Sequence, residues 1–289
     1  MTISAVFFDI DGTLIDSKGK VLDSTKHAVK AMKEAGIICG IATGRGPLAI
    51  LPEIRALGFD VYVTYNGQFV YTEEEILRAE SITDEMLRKL ARVGEKQQRQ
   101  LLFCSDNMVM GHWLLELGQK SWVQNLRRVL PKSWHLKRSN FEKKIHQQVR
   151  QPNLVPVHYT KLRILEKPIY QCLLASPESE QKKLIQLFPE CTITRSNPYM
   201  VDIIAKGGSK WEGIQSAASY FSFDLSQTMA FGDSFNDQEM LESVGVGIAM
   251  GNAESLIKDI ADEVTLDHNE DGILESLQKY GVLAKEKEQ

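Results

Sequence analysis

The sequence predicts an α/β fold, a doubly wound parallel sheet interrupted by an inserted α+β segment. Three observations lead there. Apolar strand-like runs alternate with amphipathic helical stretches over the first 80 residues, the rhythm changes across residues 83–199, and the alternation then resumes. Alternating strands and helices bury both faces of a sheet when the strands run parallel. In chain order, residues 5–8 read as a strand, 24–35 as a helix ended by Gly36, and 37–42 as a second strand. A helix follows through Arg55, closed by Gly58, and 61–65 give a third strand. Asn66-Gly67 is a turn signal, so 68–71 should return as a hairpin. Inside the insert, a helix is expected over 84–96, with strands at 100–104, 170–175 and 191–194. The sheet is then completed by strands at 200–204, 227–231, 246–250 and 263–266, and the tail 285–289 reads as frayed and solvated. The expected division is a core of residues 1–82 and 200–289 with an insert of 83–199.

At 289 residues the chain has room for two compact domains, and 43% hydrophobic with 25% charged residues is ordinary globular composition. No apolar run approaches the ~18 residues of a membrane span, and the first apolar run meets Asp9 before a signal-peptide core could form. A cytoplasmic protein with no membrane partner is expected. The four cysteines, Cys39, Cys104, Cys172 and Cys191, are scattered, which gives neither a disulfide framework nor a zinc site. Net charge is -4 but unevenly spread: residues 83–199 hold 20 Lys+Arg against 10 Asp+Glu, and 121–150 hold eight basic residues against Glu142 alone.

Asp9-Ile10-Asp11-Gly12-Thr13 stands directly behind the apolar run Ala5–Phe8. It delivers two carboxylates to the end of a buried strand, where paired negative charge needs a cation or a shared proton. An EF-hand loop is excluded, because counting from Asp9 places Leu14 where glycine belongs and Lys20 where the bidentate glutamate belongs. Three further segments put polar groups just after apolar strands, the edge where open parallel sheets bind ligands. Thr43-Gly44-Arg45-Gly46 offers a hydroxyl and backbone N–H groups suited to phosphate oxygens, or a plain helix cap. Lys206-Gly207-Gly208-Ser209-Lys210 opens a helix and offers a lysine for a phosphoryl group, or a solvated one. Gly232-Asp233-Ser234-Phe235-Asn236-Asp237 offers two carboxylates four apart, which either complete an oxygen-rich magnesium site or cap a helix. Agreement among all four segments favours one shared site.

The four segments, in this order, resemble the motifs of the haloacid dehalogenase superfamily. The run Gly247-Ile248-Ala249-Met250-Gly251-Asn252-Ala253, Ala261-Asp262 and Asn269-Glu270-Asp271-Gly272-Ile273 are similar to its Cof-type branch. The resemblance spans about residues 1–82 and 200–282, and the position and length of the insert resemble members carrying a type II (α+β) cap. It implies a Rossmann-like core with an inserted cap that closes over the active site and selects the leaving group. It also implies a Mg²⁺-dependent phosphatase acting on a small phosphorylated metabolite, with sugar phosphates as the first expectation. Asp9 would be the nucleophile that forms an aspartyl-phosphate, and Asp11 the group that protonates the leaving oxygen and then activates water. Asp9, the Asp11 backbone carbonyl and Asp233 would hold Mg²⁺, with Asp237 supporting them directly or through water. Thr43 and Lys210 would bind phosphoryl oxygens, and Asn236 would position the phosphate together with Gly44. Lys206 competes with Lys210 for the lysine role, although the family pattern aligns with Lys210. Arg45 is placed either on substrate or cap, or in a surface salt bridge.

Other readings remain beside this one. A phosphomutase on a sugar phosphate uses the same aspartate pair, and a phospho-ligand sensor would bind without turnover. Trp113, Trp122 and Trp134 with the basic run could stack and pair with nucleic acid, but a sequence pI near 5.9 argues against a dedicated nucleic-acid partner. Gly245-Val246-Gly247 with Gly251 and Asp267 imitates a dinucleotide fingerprint, yet these glycines flank a strand instead of following one. His112, His135, His146 and His158 lack metal-ligand spacing. No residue pattern singles out the ester or an oligomeric state.

Overall fold

The computed structural model describes residues 2–112, 158–197 and 200–284. The basic run 121–150, the three tryptophans Trp113, Trp122 and Trp134, and His135 and His146 lie outside them. The chain divides into two compact units, one of Met1–Arg45, Ile50–Ala79 and Ser209–Gln289, the other of Gly46–Ala49 and Glu80–Gly208.

The first unit is built on an eight-stranded sheet. Its strands are β1 (Ala5–Phe8), β2 (Ile38–Ala42), β3 (Val61–Thr64), β4 (Phe69–Tyr71), β5 (Ile76–Ala79), β11 (Thr228–Gly232), β12 (Val246–Ala249) and β13 (Glu263–Val264). Their spatial order is β13-β12-β11-β1-β2-β3-β4-β5. All neighbours from β13 to β3 are parallel, while β3–β4 and β4–β5 are antiparallel, the hairpin signalled by Asn66-Gly67. β1 is fully buried because successive side chains enter opposite cores. Val6 and Phe8 join one apolar cluster with Val29, Met32 and Leu277; Ala5 and Phe7 join another with Ile214, Met240 and Ile257. Helix α1 (Asp23–Glu34) shows why it docks there, since its buried Thr25, Ala28, Val29 and Met32 fall on one face at helical spacing.

The chain runs outward from β1 through β2 and β3, then returns beside β1 as β11 and runs outward the other way through β12 and β13. The gap between β1 and β11 is therefore the topological switch point, where the carboxyl ends of the strands open a crevice. Phe8 lies level with Phe231 in that register, so Asp9 and Asp233 emerge from the same edge.

The second unit is an antiparallel sheet of β6 (Leu101–Cys104), β7 (Val109–Gly111), β8 (Gln171–Ala175), β9 (Cys191–Asn197) and β10 (Met200–Ala205), ordered β7-β6-β8-β10-β9. Helix α3 (Asp84–Lys96) starts at Thr83, whose side chain accepts the Met86 N–H, and buries Met86, Leu87, Leu90 and Ala91 against this sheet's apolar cluster.

Two expectations change. The helix expected up to Arg55 is split into a 3-10 turn at Pro47–Ala49 and the short helix α2 (Pro52–Arg55). Pro52 holds Leu51 in an extended conformation, φ -66° and ψ 144°, which a continuous helix cannot pass through. The strand expected to resume the parallel sheet at 200–204 is β10, which pairs antiparallel with β8 and β9, so the first unit resumes at Ser209. A short apolar run fits the centre of either sheet, and only its pairing partners decide. Among the described residues, no helix is long and apolar enough to cross a membrane.

Candidate active site

Asp9, Asp233 and Asp237 present carboxylate oxygens within 4.8 Å of one another. Asp9 follows β1 and its N–H donates to the Phe231 carbonyl at 3.0 Å, which fixes it beside the end of β11. Asp233 follows β11. Gly12 makes their approach feasible: its φ is +88°, and a Cβ there would collide with the Asp233 carboxylate. Asp237 is fully buried, and its two oxygens have different partners. Oδ2 accepts the N–H groups of Asp233 at 3.1 Å and Ser234 at 3.0 Å, forming a capping box with Ser234, while Oδ1 accepts from Lys210.

Lys210 is fully buried, and its Nζ donates to Asp9 Oδ1 at 2.5 Å and to Asp237 Oδ1 at 2.6 Å. It opens the helix Lys210–Phe221, capped by Ser209, whose side chain accepts the Glu212 N–H. A cation at a helix N-terminus opposes the macrodipole, so two flanking carboxylates must hold it there. Burial lowers the affinity of Lys210 for its proton, yet Asp237 and Asp9 more than offset this and raise its pKa. Lys206, by contrast, is exposed in the second unit.

Three carboxylates thus face one ammonium. Burial, with Asp237 and Asp11 adding to it against the opposing pull of Lys210, pushes the Asp9 carboxyl up to about 7. Burial and the charges of Asp9 and Asp237 push Asp233 up to about 9. Among the described residues, the buried Asp233 Oδ1 has no hydrogen-bond partner, and neither has Thr13 Oγ1. An oxygen-only donor set carrying surplus negative charge and an orphaned carboxylate oxygen fits a hard divalent cation such as Mg²⁺.

The Asp11 side chain lies outside this trio. Its carboxylate takes a bidentate pair from Arg45, Nε to Oδ2 and Nη2 to Oδ1, both at 2.6 Å. Burial works against the Arg45 charge, but the bonds to Asp11 outweigh it and raise the Arg45 pKa. Thr43, buried just after β2, accepts the Arg45 N–H on Oγ1 at 3.1 Å, which shapes the turn through Gly44.

Asn236 donates from Nδ2 to Asn66 Oδ1 at 3.0 Å, and its own Oδ1 accepts the Ser234 hydroxyl at 2.6 Å. In the sequence Asn66 reads only as part of a turn signal with Gly67. It is buried, with φ +52°, next to Tyr65 at φ +51°. Consecutive left-handed non-glycine residues are costly, on the order of 1–2 kcal/mol each, and tend to persist at functional sites. That pair is the signal by which Asn66 can be recognised.

A family model described as haloacid dehalogenase-like hydrolase matches residues 6–277. The protein named "Putative phosphatase YkrA" of Bacillus subtilis (strain 168) is 31% identical over 98% of this chain and 100% of its own length. Pyridoxal phosphate phosphatase YbhA of Escherichia coli (strain K12) is 28% identical over 97% of this chain and 99% of its own. Among solved structures, a haloacid dehalogenase subclass IIB sugar phosphatase superposes with a TM-score of 0.76 at 30% identity, covering 97% of this chain and 100% of that one.

Proposed function

Since this chain belongs to the haloacid dehalogenase-like hydrolases, as a Cof-type phosphoric monoester hydrolase, we propose that it hydrolyses a small phosphorylated metabolite through a phosphorylated Asp9 and depends on Mg²⁺. The observation that carries this is the charge surplus at the switch point: Asp9, Asp233 and Asp237 share one buried ammonium, that of Lys210, which is bonded to Asp9 and Asp237. Buried carboxylates in that excess are unfavourable unless a divalent cation is shared among them.

Asp9, the Asp11 carbonyl and Asp233 would hold the ion, while Asp237 fixes the Asp233 backbone and Lys210. Bound there, Mg²⁺ supplies compensation for negative charge on the phosphoryl oxygens. The rest is carried by the chain itself. Lys210 holds Asp9 Oδ1 in place, leaving Oδ2 to attack phosphorus in line. Lys210, the Thr43 hydroxyl and the Gly44 N–H would meet the equatorial oxygens, whose stabilisation dominates phosphoryl transfer. Asn236, steadied by Asn66 and Ser234, would orient the phosphate. Asp11 would give a proton to the departing oxygen and take one from the attacking water.

The names of the relatives support a sugar phosphate or a phosphorylated cofactor as substrate. The test is release of inorganic phosphate from a panel of such esters with Mg²⁺. Asp9→Asn should lower turnover by at least about 10³-fold with an unchanged circular dichroism spectrum, and chelation should silence the enzyme reversibly. Isomerised ester in place of free phosphate would make it a mutase. Saturable binding of ester without turnover would make it a sensor.

A further inference from the structure

The loop 250–254, which follows β12, is bonded to both acidic turns of the site. Its backbone holds one of them: the Met250 N–H donates to the Gly232 carbonyl and the Glu254 N–H to the Asp233 carbonyl, each at 3.0 Å. Its only side-chain amide holds the other. Asn252 Nδ2 donates to the Gly12 carbonyl at 2.8 Å, within the turn that carries Asp9 and Asp11. Asn252 Oδ1 accepts the His268 N–H at 2.9 Å, so both ends of the amide are engaged and its orientation is fixed.

The backbone beneath Asn252 has no room to drift. Gly251 donates to the Leu266 carbonyl at 2.9 Å, and a Cβ on it would stand 2.7 Å from the Asp267 nitrogen and 2.8 Å from the Leu266 carbonyl carbon. Gly12 is also the residue against which the Asp233 carboxylate packs. The bond from Asn252 to Gly12 therefore spans 240 residues of chain at the point where the spacing between the two acidic turns is set.

We propose that Asn252 is a positioning residue of the cation site: its amide holds the Gly12 carbonyl, and with it the Asp9–Asp11 turn, at the separation from Asp233 that a divalent ion requires. The proposal rests on the phosphatase reading of the same site. Asn252 acts through the turn it holds. Asn252→Asp separates this role from general packing, because it keeps the volume and the acceptor for His268 while replacing the donor to Gly12 with an oxygen that repels the carbonyl. His268→Ala is the control, since the bond to Asn252 comes from the backbone of residue 268.

The full-length chain is titrated with Mg²⁺ alone by calorimetry, and p-nitrophenyl phosphate turnover is measured across Mg²⁺ concentrations. Groups that orient metal ligands are typically worth 10–100-fold in affinity, so Asn252→Asp should weaken Mg²⁺ binding by about 10-fold or more. The Mg²⁺ concentration for half-maximal turnover should rise by a similar factor, while KM for the ester at saturating Mg²⁺ changes less than about 2-fold. His268→Ala should match the wild type. Unchanged Mg²⁺ affinity in Asn252→Asp overturns the proposal, as does an equal loss in His268→Ala. Should Asn252→Asp not fold, Asn252→Ser, which is too short to reach Gly12, is measured in its place against the same outcomes. A wild type that binds Mg²⁺ in an Asn252-dependent way yet hydrolyses no ester removes the phosphatase reading and keeps the positioning role. A wild type that binds no Mg²⁺ overturns both.

Discussion

Lys210 is the residue on which the balance of the site turns, because its buried ammonium is bonded to two buried carboxylates at once. Lys210→Met removes the ammonium and leaves Asp9 and Asp237 buried without it. Breaking a buried pair from one side costs about 3–5 kcal/mol, so urea unfolding should show a loss of that order and turnover should disappear. The carboxylates also give the metal-free protein a definite pH response. Asp9 is raised to about 7 and Asp233 to about 9 from the ordinary 3.8, so between those values the folded state binds protons that the unfolded chain has released. Stability without metal must then fall as pH rises from about 4 to about 9. Mg²⁺ favours the ionised forms, and the melting temperature it adds should be larger at pH 8.5 than at pH 5.5; equal gains would contradict the assignment. At this scale Asp9 and Asp233 stand directly behind apolar runs, so the sequence offers them as a pair, and Asp237 comes with Asp233 in the same turn; Lys210 shares its segment with Lys206, and the apolar pattern does not separate the two lysines. The roles of Asn66 and Asn252 were not legible in the sequence: one reads as a turn residue and the other as part of a family-like run, and only their partners Asn236 and Gly12 tie them to the site.

Among the elements, the turns carry more of the function than the strands. β1 and β11 could be rebuilt from other buried apolar residues, whereas the turn through Gly12 has one solution. Gly12→Ala meets both a positive φ and the Asp233 carboxylate, and Mg²⁺ binding should suffer along with stability, by more than the roughly 1 kcal/mol of a routine glycine substitution; calorimetry and thermal melts would register each. The helix cap at Thr83 offers a contrast, being local. Thr83→Ala should cost about 1 kcal/mol through the lost bond to the Met86 N–H and leave Mg²⁺ affinity alone. Element type followed from periodicity in most places, and α3 has the bounds its pattern predicts. The segment before Arg55 did not follow, because proline at 47 and 52 outweighs the apolar spacing that favours a continuous helix.

Over the whole molecule, two units with separate apolar clusters should not melt as one. Scanning calorimetry should give a calorimetric enthalpy larger than the van't Hoff value, with Lys210→Met shifting one component and Thr83→Ala the other. A single two-state transition moved equally by both variants would refute that. The sequence by itself determined the α/β class, the ends of the strands that carry chemistry, and the order in which they occur, because apolar periodicity and the residues that follow it are local properties. Only the tertiary structure decided that β10 belongs to the antiparallel sheet, that Lys210 and not Lys206 reaches Asp9 across 201 residues, and that Asn252 grips Gly12. These outcomes depend on strand order and register, which are set by the joint packing of segments far apart in the chain and are written in no one of them.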